Sequence, residues 1–358
     1  MINKNFINVG NSKVGGDNPT YFIADIAANW DSSLERAKDL IFLAAEAGAD
    51  AAKFQNFDAD TIISSTSFDD MNSKLSHQAS WDDSVYEVYN KASLPVKWTM
   101  ELKETCKSAG IDYFTTPYSL DHVNLLREHV AAWKLGSGDI TWHEHIEGMA
   151  KLDMPLFIAT GASSEIEVDM AMETALKHTN KLVLMQCNTN YTASLENFKH
   201  IALNVLNLYK QKYPNTVLGL SDHTPGHSTV LGAVALGARA VEKHFTDDTS
   251  RNGPDHKFSM DPRTWKEMVD RTRELENALG TEEKRVMDNE AESSIVQRRS
   301  VHAKNKIEEG QIITSEDLIM LRPELQGSFP PYKVGLIIGK RATKTIEKNM
   351  CIKDSYIK

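Results

Sequence analysis

Between Tyr21 and Leu279, short β-compatible runs alternate eight times with amphipathic helical stretches, and this alternation limits the chain to a few α/β architectures. The predicted strands are Tyr21–Ala27, Ala51–Gln55, Asp112–Thr116, Ala131–Gly136, Pro155–Ala159, Leu182–Gln186, Val217–Leu220 and Arg239–His244. The predicted helices are Leu34–Glu46, Val96–Ser108, Leu120–Glu128, His145–Leu152, Glu165–His178, Leu195–Lys212, His227–Leu236 and Pro262–Leu279. Gly48, Gly110 and Gly237 stand just past helix ends, where a left-handed cap is wanted. Eight such repeats over about 260 residues have the size of a closed parallel (β/α)8 TIM barrel. An open doubly wound sheet is the alternative, but no G-x-G-x-x-G follows the first strand to favour it.

Residues 56–95 exceed the short-loop rule; in a barrel, a connection of that length usually covers the active face. Composition changes near Gly280. A charged stretch, residues 281–297, reads as a linker, and residues 298–358 read as a small mostly-β domain from their β-branched alternation, glycines and the Pro330-Pro331 doublet. The barrel domain is then 1–280. A unit of about 60 residues buries a modest core, so docking onto another subunit is expected.

The formal net charge is −10 and no dense Lys/Arg block is present, which argues against nucleic acid as a partner. No stretch approaches the roughly 20 apolar residues needed to cross a bilayer, and Met1–Gly16 is polar, without a signal-peptide core. A cytoplasmic protein with no membrane partner is expected. Cys106, Cys187 and Cys351 are far apart and read as reduced structural thiols.

His223 and His244 each follow an apolar run, so the barrel topology brings them to one rim. Strand C-termini are where such folds place chemistry, and imidazole is the commonest ligand of divalent transition metals. Two ligands are fewer than a typical zinc site holds, so two hydrogen-bonded histidines without an ion is the competing reading. Lys53 and Lys134 also end apolar strands, where a buried ammonium is costly without a carboxylate or bound anion. Together with Ser137 and Ser221 they form a cradle for phosphate and carboxylate; alternatively each pairs with a local acid such as Asp25 or Asp139. An imine-forming lysine is a second enzymatic reading. Asn29, Gln55, Thr116, Tyr191 and Asp222 are expected at the same mouth. Asp255 lies in a turn after the eighth strand and either projects over the mouth or caps the turn. Arg322 reads by itself as a surface arginine.

Several segments together resemble the sialic acid synthase family, which condenses phosphoenolpyruvate with an N-acetylated hexosamine. They are Ile23-Ala-Asp-Ile26, Ala49-Asp-Ala-Ala-Lys-Phe-Gln55, Phe114-Thr-Thr-Pro-Tyr-Ser119, Lys134-Leu-Gly-Ser-Gly-Asp-Ile140, Gly219-Leu-Ser-Asp-His-Thr224, Glu242-Lys-His-Phe-Thr246 and Gly253-Pro-Asp255. Residues 298–358, with Arg299-Ser300 and Leu321-Arg-Pro323, are similar to that family's antifreeze-like (SAF, β-clip) domain. The resemblance implies a metal-dependent transferase that makes a nonulosonic acid and phosphate. It implies a divalent ion on His223 and His244, manganese first, with magnesium or cobalt as alternatives. Phosphoenolpyruvate is then held by Lys53, Thr116, Lys134, Ser137, Tyr191 and Ser221, and Asp25 and Asp139 join the histidines as catalytic groups. The aldose, N-acetylmannosamine or a related hexosamine, is contacted by Asp25, Trp30, Asp255 and, in a domain-swapped homodimer, by the neighbour's Arg322.

Some positions depart from the family pattern: Asp25 and Asp139 replace glutamate, Trp30 replaces histidine, and Ala159 and Thr189 replace polar contacts. Each aspartate shortens the carboxylate's reach by one methylene, and Trp30 offers either a flat wall for a bulkier sugar substituent or a filler of the core. A sugar-binding or assembly protein that keeps the barrel but has lost turnover is the alternative function.

Overall fold

The computed structural model describes residues 5–71 and 73–358. The chain divides into two compact units, Met1–Gly280 and Thr281–Lys358. In the first, eight parallel strands close into a barrel: Tyr21–Asp25, Ala51–Asn56, Asp112–Pro117, Trp133–Leu135, Leu156–Ala159, Leu182–Cys187, Val217–Asp222 and Ala240–His244. They are called the first to eighth barrel strands below. The eighth pairs back onto the first, with His244 opposite Asp25, which seals the ring.

Strand alternation explains the placement of every residue type in the wall. One face of the strands carries Phe22, Ala24, Ala52, Phe54, Tyr113, Trp133, Leu156, Ile158, Leu184, Leu220 and Val241, which pack in one core with the apolar faces of the surrounding helices. The other face carries Tyr21, Ile23, Ala51, Phe114, Phe157, Val183, Met185, Val217 and Ala240, which form a second core inside the barrel. Farther along each strand that same face turns polar. Asp25, Lys53, Thr116, Lys134, Ser221, Glu242 and His244 keep the register of the apolar residues beneath them and line one cavity.

Residues 6–15 hold structure that their polarity did not suggest. Phe6–Val9 and Ser12–Gly15 form an antiparallel hairpin whose Ile7, Val9 and Val14 join the inner core. The hairpin turns at Gly10, with φ of 53°, and there a Cβ would come within 2.0 Å of the Asp112 carboxylate. The long connection after the second strand holds short helices at Ala59–Ile62, Ser65–Asp70 and Val85–Ala92. The helix expected over Leu195–Lys212 is a 3₁₀ stretch, Leu195–His200, then a break at Ala202, with φ of 51°, then a helix at Val205–Lys212. The first helix, Leu34–Glu46, starts at Ser33, whose hydroxyl accepts from the Arg36 N–H, and it buries Ala37, Leu40, Ile41 and Ala44.

The second unit pairs Ser300–Ala303 antiparallel with Leu318–Leu321 around Val301, Ala303, Ile307, Ile313, Phe329, Ile337, Ile346 and Ile352. Residues 281–297 belong to this unit and include a helix, Ala291–Val296. No helix among the described residues is long and apolar enough to cross a membrane.

Candidate active site

The cavity at the strand C-termini is small, about 30 Å³, and is lined by Asp25, Lys53, Gln55, Thr116, Tyr118, Lys134, Gly136, Ser137, Tyr191, Ser221, His223, Glu242 and His244. Lys53 Nζ stands 2.7 Å from Asp25 Oδ2, 3.7 Å from Glu242 Oε1 and 3.2 Å from Thr116 Oγ1. Burial opposes the ammonium charge, but Asp25 and Glu242 outweigh it and hold the Lys53 pKa above the ordinary lysine value. Lys134 pairs with Glu242, at 3.3 Å, rather than with Asp139, the alternative local acid, and it also donates to the Leu135 carbonyl. Ser221 Oγ donates to the same Glu242 oxygen at 3.3 Å, whereas Glu242 Oε2 is buried without a partner.

Both imidazoles are held neutral by burial, and the His223 ring depresses the His244 pKa further. Their ring centroids are 5.4 Å apart. His223 Nδ1 donates to the Asn188 carbonyl at 3.0 Å, which leaves its Nε2 lone pair available. His244 Nε2 is 3.5 Å from Asp25 Oδ2, and its Nδ1 is buried without a partner. Tyr191 packs its ring 4.3 Å from that of His223. His77, from the long second connection, lies 4.9 Å from Tyr191, so that connection does reach the mouth.

No group of three or more His, Cys, Asp or Glu among the described residues forms a metal-binding cluster. The donors that do converge are two neutral imidazoles with the Asp25 carboxylate beside one of them. One ring is oriented by a carbonyl, as metal-ligating histidines are. That set suits a divalent ion whose remaining positions belong to water or substrate oxygens.

Ser137 sits in the turn after the fourth strand and shares a hydrogen bond of 2.7 Å with Thr189. Asp139 follows two residues later. It is half-buried, one carboxyl oxygen has no partner, and desolvation raises its pKa to about 6. Asp255 accepts from the Ala28 N–H at 3.0 Å, and desolvation, with repulsion from Asp25, raises its pKa to about 7.

Three expectations are corrected. Trp30 is 2% exposed and stacks edge-on against Trp98, with centroids 5.4 Å apart, inside the outer core; it fills that core and does not wall the cavity. Asn29 ties the first loop to Phe245 and Ser259. Asp222 turns away from the mouth onto Lys243. Arg322 lies in the second unit and is exposed just past Leu318–Leu321. Glu242 is the residue that sequence reasoning missed. Its signal was position, since it stands two residues before His244 on one strand and therefore faces the same side.

The NeuB family pattern matches residues 40–284, and that of the SAF domain matches residues 298–357. The chain is 33% identical to the N,N'-diacetyllegionaminic acid synthase of Legionella pneumophila, over 94% of this chain and 96% of that protein. It is also 33% identical to a pseudaminic acid synthase of Campylobacter jejuni, over 95% of this chain and 97% of that protein. The crystal structure of the N-acetylneuraminic acid synthetase from Leptospira borgpetersenii, in complex with citrate, superposes with a TM-score of 0.71 at 27% identity. That match covers 81% of this chain and 95% of the other.

Proposed function

The chain belongs to the NeuB family, and we propose that it condenses phosphoenolpyruvate with an aldose to give a nonulosonic acid and phosphate. The observation that carries this reading is the pairing of two buried ammonium groups, Lys53 and Lys134, with two neutral imidazoles in a single cavity. Lys53 and Lys134 bind the carboxylate and phosphate of the donor, and the hydroxyls of Thr116, Ser137 and Ser221 complete its hydrogen bonds. Tyr191 covers the donor from the His223 side.

Asp25 and Glu242 already neutralise the two lysines, so an anionic donor needs further positive charge. His223 and His244 would hold a divalent ion, manganese before magnesium or cobalt, which when bound supplies Lewis acidity toward the aldehyde oxygen of the open-chain acceptor. C3 of phosphoenolpyruvate then bonds to the aldehyde carbon, water adds at C2, and phosphate leaves with cleavage of its C–O bond. Asp139 has a pKa near the working range and a free oxygen, and it carries the proton exchanged with the incoming water. Asp255 and Asp25 take acceptor hydroxyls, with Arg322 of a second copy completing the pocket in a domain-swapped homodimer.

The test is phosphate release across a panel of aldoses that includes N-acetylmannosamine. Release should require both substrates, stop with chelator, return with Mn2+ and fall sharply in His223→Ala. Release unaffected by chelation removes the ion from the mechanism, and donor binding without any product favours a barrel that has lost turnover.

A further inference from the structure

The seventh and eighth strands pair with Lys243 opposite Asp222 and Glu242 opposite Ser221. Successive side chains alternate faces, so Glu242 and Ser221 enter the cavity while Lys243 and Asp222 point the other way, to Thr229 of the helix Ser228–Ala235. There they form an ion pair whose side chains are 1% and 0% exposed. The carboxylate also accepts from Thr229 Oγ1 at 2.7 Å, from Thr224 Oγ1 at 2.8 Å and from the Thr224 N–H at 3.2 Å. The ammonium donates to the Thr224 carbonyl at 2.6 Å. Both backbone polar groups of Thr224 are thus tied to one ion pair.

His223 is the residue between Asp222 and Thr224, and His244 directly follows Lys243. A fully buried ion pair is weak evidence of stability, because apolar residues of similar volume often serve as well or better. Its distinct contribution is geometric, since so many directional partners are satisfied together in one arrangement. We propose that Asp222 and Lys243 are the positioning pair of this site. They clamp the chain on both sides of His223 and the residue ahead of His244, so that the two imidazoles stand side by side. Neither residue lines the cavity, and both act through the histidines they adjoin. The consequence for metal affinity rests on the function proposed above; the consequence for ring geometry does not.

The experiment uses the full-length protein as parent, Asp222→Asn, Lys243→Met and the double variant. Mn2+ alone is titrated against metal-free protein by electron paramagnetic resonance. Ring signals of 15N-labelled histidine are followed by NMR, with His223→Ala and His244→Ala spectra for assignment. Each single variant should weaken Mn2+ binding by roughly 10- to 100-fold and displace or broaden both ring signals. The double variant removes both charges together, so its resistance to urea should return toward that of the parent while Mn2+ binding and the ring signals stay altered. A pair that serves charge balance alone would recover all three. Thr229→Val removes one outer donor and covers the case in which Asp222→Asn does not fold; it should displace the His223 ring signal in the same direction. Parent-like ring signals and Mn2+ affinity in the single variants, or full recovery in the double, would overturn the assignment. A parent that binds no Mn2+ refutes the metal reading, and the ring signals then judge the positioning pair by themselves.

Discussion

Asp25 and Lys53 face each other across the first and second barrel strands, with 2.7 Å between Oδ2 and Nζ and both side chains almost sealed from solvent. The same carboxylate reaches His244 on the closing strand and accepts from Gln55, so one aspartate joins the lysine and histidine halves of the cavity. Glu242 repeats the arrangement deeper in, between Lys53 and Lys134. The cluster is balanced internally, and the removal of any one charge leaves an uncompensated partner in a low-dielectric setting.

Lys53→Met should therefore cost about 3–5 kcal/mol of unfolding free energy, the range for breaking a buried ion pair from one side. Urea denaturation followed by tryptophan fluorescence measures this. Phosphate release should be lost as well, and a variant as stable as the parent would show that Asp25 and Glu242 do not depend on the ammonium.

Asp255 should set an ionisation in the pH profile. Desolvation puts its pKa at about 7, above an unfolded value of about 3.9. The folded chain thus binds this proton more tightly, and the stability it lends is complete at low pH and is lost as pH rises through 7. As a carboxylate it accepts acceptor hydroxyls, so kcat/KM should rise between pH 6 and 8, and Asp255→Asn should remove that rise. A variant that keeps the same midpoint assigns the ionisation elsewhere.

His145 provides a second pH effect, far from the reaction. Its ring is fully buried, neither nitrogen has a hydrogen-bond partner, and desolvation lowers its pKa to about 4. Between about 6.5 and 4 the unfolded chain takes up a proton that the folded chain refuses, so stability falls as the medium is acidified through that window. His145→Phe should flatten the fall of Tm over this range, and an unchanged slope would discharge His145 from acid sensitivity.

The proposed exchange of small domains predicts complementation. Lys53→Ala and Arg322→Ala should each be inactive alone. Unfolded together and refolded, they should regain part of the activity, because one barrel in each mixed dimer is intact and faces an intact arginine. Mixtures no more active than the separate variants would place Arg322 outside the site.

Most of the barrel was legible because a parallel strand flanked by helices leaves a local imprint: a short β-branched run, then a 3.6-residue period, then a glycine cap such as Gly48 or Gly237. The ends of elements were less legible. Val217–Leu220 extends to Asp222 through hydrogen bonds with the neighbouring strands, and Leu195–Lys212 breaks where Ala202 takes a left-handed conformation. The N-terminal hairpin escaped notice because Ile7, Val9 and Val14 are the only buried apolar side chains of its two strands, and their place is set by the hollow they plug.

The sequence by itself determined the order of eight strands and helices, and through strict alternation it determined that Lys53, Lys134, Ser221 and His244 share one side of the wall. Tertiary structure alone decided which charges meet. Glu242 lies between lysines from the second and fourth strands, Lys134 is drawn to it instead of to nearby Asp139, and Trp30 leaves the cavity for Trp98. Periodicity reports the face a residue occupies within its own strand. The choice of counterion or packing partner depends on side chains brought in from distant strands, and that geometry exists only once the ring has closed.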